Sequence, residues 1–253
     1  GNYGLFKIVR KLENNNNLKK FLEGLYSGNI DNKKSILYGG HHQPIICNNE
    51  IKLDEIAHYL GCYFSDGTKK GVNWAMCAST FEQANYFYTM HKSLIKCENI
   101  VPYISFTSLG HWEYQNLTKQ LRGIWKLHVS ALPNDINVRI IKSRCKPSLK
   151  TNKFGTLVMR ENRKLTQVYY NHLLELLFYE IKSKQDKELA VDFICGVLEG
   201  DGSVSPHLGH LVIATNNKEL DLLKGALRVT GFKYNVRIEG ENKTITKLLN
   251  ISK

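Results

Sequence analysis

The chain has 253 residues, of which 42% are apolar and 23% are charged, so it is long and apolar enough to fold around a hydrophobic core. Its 35 Lys and Arg against 23 Asp and Glu give a net charge of +12, which indicates a polyanionic partner such as nucleic acid, with a merely basic protein as the alternative. No apolar run is long enough to span a bilayer and no secretory signal pattern is present, so neither membrane insertion nor secretion is expected.

The six cysteines are scattered, and the closest pairs are 15 residues apart. This spacing is not that of a zinc-binding cysteine cluster, and the density is too low for a secreted disulfide scaffold. We therefore expect reduced, mostly buried thiols in an intracellular protein, in the cytoplasm of a prokaryote or in an organelle.

Residues 1–50 are polar and rich in turn-forming residues, and they are predicted to be an N-terminal extension without an assigned role. Within them, residues 18–26 are compatible with one short helix, and residues 39–42 are predicted to be a loop. The pair His41–His42 could ligate a metal, but no second cluster completes such a site, so a solvated loop is the favoured interpretation.

Between residues 53 and 132, the apolar pattern predicts three helices and two strands, which we assign to a first half over residues 51–132. The first helix begins near Asp54, a capping residue, and ends on Ser65-Asp66-Gly67. The other predicted elements are a strand over 72–79, a helix over 81–96, a strand over 100–108 and a helix over 112–132.

Residues 133–187 are predicted to be a basic insertion followed by a linker helix over 165–181. Two strand-like runs, 136–143 and 154–160, flank a turn with concentrated positive charge. A hairpin of this kind could rest in a DNA groove, and a solvated edge hairpin is an equally good interpretation. Its basic residues include Arg139, Lys142, Arg144, Lys146, Lys150 and Lys153.

The second half, residues 188–253, opens with an apolar helix that ends abruptly on Gly200-Asp201-Gly202. A helix C-terminus carries partial negative charge, so the carboxylate of Asp201 is unfavourable there without a nearby cation. A strand over 210–215, a helix over 219–230 and strands over 234–239 and 244–251 are predicted to follow.

The two helix ends are related by an internal repeat with a single offset of 135 residues, which is the difference between positions 201 and 66. The offset superimposes Gly61 on Gly196, Ser65 on Gly200, Asp66 on Asp201 and Gly67 on Gly202. One Asp-Gly after an apolar run is more often an ordinary turn, but two copies with matched small residues favour a functional pair. The helix-interface residues predicted from this pattern are Gly61, Ser65, Gly196 and Gly200.

If the two small-residue faces pack together, Asp66 and Asp201 arrive side by side at one end of the helix pair. Two adjacent carboxylates repel each other, and their pKa values shift unless a divalent cation lies between them. Hard oxygen ligands of this type favour Mg²⁺.

These residues carry a resemblance to a known family. Residues 57–67 and 189–202 resemble the two signature motifs of the LAGLIDADG homing endonucleases in the single-chain form, and the second copy, Phe-Ile-Cys-Gly-Val-Leu-Glu-Gly-Asp-Gly over 193–202, is close. The first copy departs from the pattern at Phe64, where many members have an acidic residue, and at Ser65, where Gly or Ala is usual. The resemblance covers residues 50–253.

The resemblance implies an α+β fold with two pseudo-symmetric αββαββα halves, whose saddle-shaped antiparallel sheets lie in the DNA major groove. It further implies that Asp66 and Asp201 are the catalytic metal ligands, helped by the backbone carbonyls of Ser65 and Gly200, with Mg²⁺ as the cofactor and Mn²⁺ or Ca²⁺ able to occupy the same sites. The reaction implied is metal-assisted hydrolysis of both strands of a long double-stranded DNA target by a monomer.

Candidate DNA-contacting residues are polar and basic side chains on predicted strands and in the basic segment, with solvent exposure as the alternative for each. They are Asn73, Arg139, Lys142, Arg144, Lys146, Arg160, Asn235 and Arg237. A non-cleaving nucleic-acid-binding protein on the same scaffold, such as an intron RNA maturase or a transcriptional regulator, is the alternative function. An intein is disfavoured, since no nucleophile opens the chain.

Overall fold

The computed structural model describes residues 25–29, 34–39, 42–48, 51–69, 73–96, 100–108, 114–142, 153–205, 210–239 and 246–252. The helices in these ranges are α1 Leu53–Asp66, α2 Phe81–Leu94, α3 Tyr114–His128, α4 Lys164–Lys184, α5 Lys187–Asp201 and α6 Asn217–Thr230. The strands are β1 Leu25–Asn29, β2 Lys34–Gly39, β3 His42–Asn48, β4 Trp74–Ala78, β5 Tyr103–Ser108, β6 Asn137–Lys142, β7 Thr156–Glu161, β8 Gly202–Ser205, β9 His210–Thr215, β10 Lys233–Glu239 and β11 Thr246–Ser252.

The first sheet has the strand order β4-β7-β5-β6. β7 pairs antiparallel with both β4 and β5, whereas β6 runs parallel to β5. Two sequence expectations are corrected here. The sheet is mixed, not antiparallel throughout, because α3 returns the chain to the same end of the sheet before β6 begins. The segment expected to be an insertion supplies two of the four strands, so it completes the first half.

The second sheet has the order β10-β11-β9-β8, and all of its pairs are antiparallel. With α5 and α6 it forms an αββαββ unit, and β11 is the last described element, ending at Ser252. Each half therefore contributes one motif helix and one four-stranded sheet. The α+β class predicted from the sequence is confirmed. The αββαββα order expected of each half is not followed by the described elements of the first half, which run α1-β4-α2-β5-α3-β6-β7-α4, because α2 follows β4 directly and α3 separates β5 from β6.

Part of the predicted N-terminal extension is an ordered sheet with the order β1-β2-β3. Leu37, Ile45 and Cys47 from this sheet are buried in the common hydrophobic core. The helix expected over residues 18–26 is wrong at Leu25 and Tyr26, which lie in β1, and its other residues are outside the described ranges. The predicted loop at residues 39–42 is likewise replaced in part by strand, since β2 ends at residue 39 and β3 begins at residue 42.

The two motif helices lie at the centre of the molecule, and their apolar residues belong to one continuous core. Tyr59, Leu60 and Tyr63 of α1 and Phe193 of α5 are fully buried within it. A core shared between two halves stabilises them as one unit, because the apolar area is removed from water only when both are present. Among the described helices, none combines the length and the apolar character that crossing a bilayer requires.

Candidate metal centre and nucleic-acid interface

The helices α1 and α5 cross in direct backbone contact at Gly61 and Gly196. A methyl group added to Gly61 would lie 2.9 Å from the Cα of Gly196, and closer still to the carbonyl oxygen of Phe193. A methyl group on Gly196 would lie 2.9 Å from the amide nitrogen of Cys62. Such distances exclude any side chain at either position, so the two glycines allow the helices to approach this closely.

One turn further along, the small-residue contact continues at Ser65 and Gly200. The Ser65 hydroxyl donates to the carbonyl oxygen of Cys62 at 2.9 Å, within its own helix. A methyl group on Gly200 would lie 2.6 Å from Oδ2 of Asp66, and closer still to Ser65 Oγ. The carboxylate of Asp66 therefore lies against the backbone of the opposite motif helix, immediately before Asp201.

Both motif aspartates close their helices in the same way. The Gly67 amide donates to the carbonyl of Tyr63 at 2.9 Å, and Gly202 bonds back to Leu198. Each glycine then begins an antiparallel pairing, Gly67 with Met76 as a single bridge and Gly202 with Ile213 as the start of β8. The repeat read from the sequence is thus a repeat of local structure as well.

The electrostatic environment raises the pKa of Asp66 to about 6. Burial is the largest cause, followed by the negative charges of Asp201 and then Glu199, while Lys69 acts in the opposite direction. The pKa of Asp201 is also raised, chiefly by burial; Lys69 lowers it and Glu219 raises it. Burial and neighbouring negative charge therefore raise the pKa of both motif aspartates, and Lys69 opposes this at each of them.

Lys69 places a positive charge beside both motif aspartates, and it follows Asp66 by three residues. Its ammonium group donates to the carbonyl oxygen of Phe64 and forms an ion pair with Glu219 in the first turn of α6. The same nitrogen lies 4.4 Å from the centroid of the Phe64 ring. Lys69 therefore joins the end of α1 to the second half of the molecule beside both aspartates.

The segment that follows Asp66 is held in place by α4. The side-chain amide of Gln167, which is fully buried, donates to the carbonyl oxygens of Thr68 at 3.0 Å and Asn73 at 3.2 Å. Asn171, one turn along α4, donates to the carbonyl of Lys69 at 3.2 Å. These bonds fix the backbone that carries Lys69 and so fix where its charge lies.

The donor set fits a hard divalent cation. Asp66 and Asp201 offer carboxylate oxygens with raised pKa values, a condition that a bound cation relieves. Ser65 and Gly200 lie in the last turn of their helices, where backbone carbonyls have no donor within the helix. The catalytic and metal roles assigned to these four residues stay predictions.

Two of the predicted DNA-contacting residues share one face of the first sheet. Strand alternation and register place Arg139 of β6 and Arg160 of β7 on the same face, opposite the core. The Arg139 guanidinium lies 3.9 Å from the centroid of the Tyr103 ring. Cys77 of β4 lies on this face too, and the charge of Asp66 contributes to raising its pKa, after the larger effect of burial. Arg139, Arg160 and Cys77 therefore share the face of the first sheet that is turned away from the core.

The other predicted contacts are distributed over both halves. Asn73 immediately precedes β4 and is half-buried, and Asn235 is exposed on β10, two residues before Arg237. Lys142 is the last residue of β6. Arg144 and Lys146 lie outside the described residues. A role in DNA contact stays a prediction for each of these residues.

Sequence reasoning missed Lys69, Glu199 and Glu219 at the site. The sequence contains a signal for Lys69, because this lysine follows the motif aspartate by three residues and so must lie near the end of the helix. Glu219 had no signal, since α6 reaches the site only through the tertiary fold.

The chain is similar to solved structures of I-DmoI. A structure of I-DmoI in complex with DNA and Mn has a TM-score of 0.41 and 14% sequence identity, covering 79% of this chain and 91% of that chain. A structure of I-DmoI in complex with DNA and Ca has a TM-score of 0.36 and 16% sequence identity, covering 80% of this chain and 85% of that chain. Mesophilic variants of the homing endonuclease I-DmoI give a TM-score of 0.37 at 16% identity, covering 79% and 89%. No protein-family model and no curated protein matches the chain.

Proposed function

We propose that the chain is a site-specific endonuclease of the LAGLIDADG homing endonuclease type, which hydrolyses phosphodiester bonds in double-stranded DNA with divalent metal ions. The observation that supports this most is the crossing of α1 and α5 at Gly61 and Gly196, which brings Asp66 to the helix end that carries Asp201. A protein that only binds DNA has no need of two like charges placed together in partly desolvated positions.

In this proposal Asp66 and Asp201 hold the metal, Mg²⁺ in the cell, and the carbonyls of Ser65 and Gly200 complete the oxygen donors. The ion supplies Lewis-acid stabilisation of the charge that develops on phosphate oxygens during hydrolysis. Lys69 offers a positive charge next to the same place, held by Glu219 and by the carbonyl of Phe64. The basic surplus of the chain attracts the DNA backbone, and polar residues on the two sheets read the target. Because one chain contains both motif helices, we expect a monomer to be active.

Cleavage of a plasmid library that contains random inserts tests the proposal, with and without Mg²⁺. We expect double-strand breaks at one narrow class of target with Mg²⁺ present, and loss of cleavage with retained DNA binding in Asp66→Asn and Asp201→Asn. Asp54→Asn and Asp192→Asn are matched controls, since both are exposed acidic residues on the same two helices, away from the C-terminal ends that carry Asp66 and Asp201. If Asp66→Asn and Asp201→Asn both still cleave DNA, the assignment of these aspartates as metal ligands is wrong. Binding without cleavage by the unaltered chain would favour the maturase or regulator alternative.

A further inference from the structure

Three side chains with different donor atoms meet between α1 and α5, one helical turn away from Asp66. His58 and Cys62 are four residues apart on α1, and so they lie on one face of that helix. Glu199 of α5 faces them: its Oε2 is 3.1 Å from Nε2 of His58 and 4.0 Å from Sγ of Cys62. Sγ of Cys62 also lies 4.0 Å from Nδ1 of His58. One donor atom from each residue thus falls within 4.8 Å of the other two.

We propose that His58, Cys62 and Glu199 form a binding site for a thiophilic divalent cation such as Zn²⁺, separate from the hard-cation site of the two aspartates. The three donors are an imidazole nitrogen, a thiol sulfur and a carboxylate oxygen, which is the ligand set that Zn²⁺ takes in proteins. Mg²⁺ takes oxygen ligands, so it does not compete at a sulfur. The site goes beyond the proposed hydrolysis, which uses neither His58 nor Cys62.

The separations are close to those that the ion needs. With metal–ligand bonds of about 2.0–2.3 Å, ligand atoms of a tetrahedral zinc ion lie about 3.5 Å apart. Nε2 of His58 and Oε2 of Glu199 are already near this separation, at 3.1 Å. The sulfur of Cys62 has to approach that oxygen by about half an ångström and to turn towards Nε2, because the ring nitrogen that it now lies 4.0 Å from is Nδ1; both changes are rotations of the Cys62 side chain. Binding replaces the thiol proton of Cys62, which passes to solvent as the sulfur–metal bond forms.

The surroundings suit an exchangeable ion. The hydroxyl of Tyr86 lies 3.2 Å from Nδ1 of His58, so it can orient the ring while Nε2 faces Glu199. Cys62 is buried, whereas the side chains of His58 and Glu199 are 38% and 37% exposed, which leaves a path from solvent. Three protein ligands with an open position are typical of an exchangeable site, and four closed ligands are typical of a structural one.

Occupation of the site joins the two motif helices through a metal. His58 and Cys62 belong to the first half and Glu199 to the second, so the ion contacts both sides of the interface. Because the folded chain binds the ion and the unfolded chain lacks the assembled site, we expect Zn²⁺ to raise the melting temperature.

The experiment is a titration of the full, metal-free chain with Cd²⁺, which stands in for Zn²⁺ and reports a cadmium–thiolate bond by its ultraviolet charge-transfer absorption. We expect the absorption to saturate at one ion per chain and to disappear in Cys62→Ser. In His58→Gln and Glu199→Gln the affinity for Cd²⁺ should fall at least tenfold. Even the loss of a residue that only hydrogen-bonds to a metal ligand lowers metal affinity by roughly 10–100-fold. Melting with Zn²⁺ is the second measurement: the unaltered chain should be stabilised, and Cys62→Ser should not.

Cys195→Ser and Cys77→Ser are matched controls, since both thiols lie outside the cluster, and both variants should keep the absorption. Asp66→Asn combined with Asp201→Asn should also keep it, which separates this site from the proposed nuclease centre, whose readout is Mg²⁺-dependent cleavage. The proposal is overturned if Cys62→Ser keeps the absorption or if a control loses it. Unchanged affinity in both His58→Gln and Glu199→Gln also overturns it, because the thiol alone then binds the ion.

Discussion

The carboxylate of Asp66 lies where a side chain at position 200 would have to be. A methyl group on Gly200 would approach Asp66 Oδ2 to 2.6 Å, a distance that requires the carboxylate or the helix to move. The glycine of one motif thus leaves space for the aspartate of the other. The two motifs are similar in sequence, and their surfaces are complementary in shape.

From this contact we expect Gly200→Ala to impair cleavage more than it impairs folding. The added methyl meets side-chain atoms only, Oγ and Cβ of Ser65 and Oδ2 of Asp66, so we expect the fold to survive while these side chains and the metal ligand move. The measurement is the single-turnover cleavage rate at saturating DNA, with melting temperature as the control for folding. A variant that cleaves at the rate of the unaltered chain contradicts the close approach of the two motifs.

Gly61→Ala and Gly196→Ala should instead destabilise the protein. At both positions the methyl group meets backbone atoms of the opposite helix, which have no freedom to rotate away. Overpacking of this kind costs about 1–3 kcal/mol or more. The check is the free energy of unfolding from urea denaturation.

Gly225→Ala is the matched control for these two variants. Gly225 lies within α6, and a methyl group there would meet nothing within 4 Å. Replacing an unencumbered helical glycine by alanine stabilises by roughly 0.5–1 kcal/mol. If Gly61→Ala and Gly225→Ala change the free energy of unfolding equally, the contact between the motif helices does not exclude a side chain at position 61.

Cleavage should fall as the pH falls through about 6 when Mg²⁺ is subsaturating. The pKa of Asp66 is raised to about 6, so below that value a proton occupies the carboxylate and competes with the metal. Raising the Mg²⁺ concentration should move the midpoint of the profile to lower pH. The measurement is the cleavage rate against pH at two Mg²⁺ concentrations; profiles that coincide would exclude this competition.

His172 should make the stability of the protein depend on pH. Its side chain is buried in α4, and burial lowers its pKa from 6.5 to about 4. Nδ1 lies 3.9 Å from Oε2 of Glu175, and neither ring nitrogen has a hydrogen-bond partner among the described residues. The unfolded chain therefore binds a proton before the folded chain does, so stability is complete above pH 6.5 and declines as the pH falls towards 4. The decline is worth up to roughly 3 kcal/mol.

His172→Leu tests this by urea denaturation at pH 7.5 and pH 5. The variant should lose less stability on acidification than the unaltered chain does. His128→Gln serves as the control, because His128 is exposed, and it should leave the pH dependence as it was. An identical loss in His172→Leu and the unaltered chain would assign the acid sensitivity to other groups.

DNA binding should weaken steeply with salt, as expected for a chain of net charge +12. Arg139→Gln should weaken binding and, if the guanidinium contacts a phosphate, reduce the slope of log affinity against log salt by about 1. Lys52→Gln is the control, since Lys52 precedes α1 at the end opposite Asp66. Fluorescence anisotropy over a salt series measures both slopes. If Arg139→Gln and Lys52→Gln change DNA binding equally, the outer face of the first sheet is not part of the DNA-binding interface.

The parts of the fold that follow from local pattern could be predicted. Gly61 and Gly196, four residues from Ser65 and Gly200, define a helix face in the sequence itself, and α1 and α5 were predicted near their observed ends. The strand and helix positions from residue 72 onward were also close, because apolar alternation and spacing are local signals. Placement of Asp66 beside Asp201 required one further inference, that the two glycine faces meet.

The features that sequence reasoning did not find depend on long-range pairing. Nothing local specifies that β7 lies between β4 and β5, since strand register is decided by partners far away in the chain. The arrival of Glu219 beside Lys69 has the same origin. The meeting of His58 and Glu199 is also tertiary, and a search for regular cysteine spacing does not detect a site built from two helices.

The strand order of the first sheet has a consequence for how the chain acquires its structure. Trp74 pairs with Glu161, 161 − 74 = 87 positions later, whereas Gly202 pairs with Ile213, 213 − 202 = 11 positions later. During synthesis, β4 and β5 therefore wait without their common partner until residue 161 has left the ribosome, while β8 and β9 pair almost as soon as they emerge. Long-range closure is the slow step in such chains, so the N-terminal half limits the folding rate although it is made first.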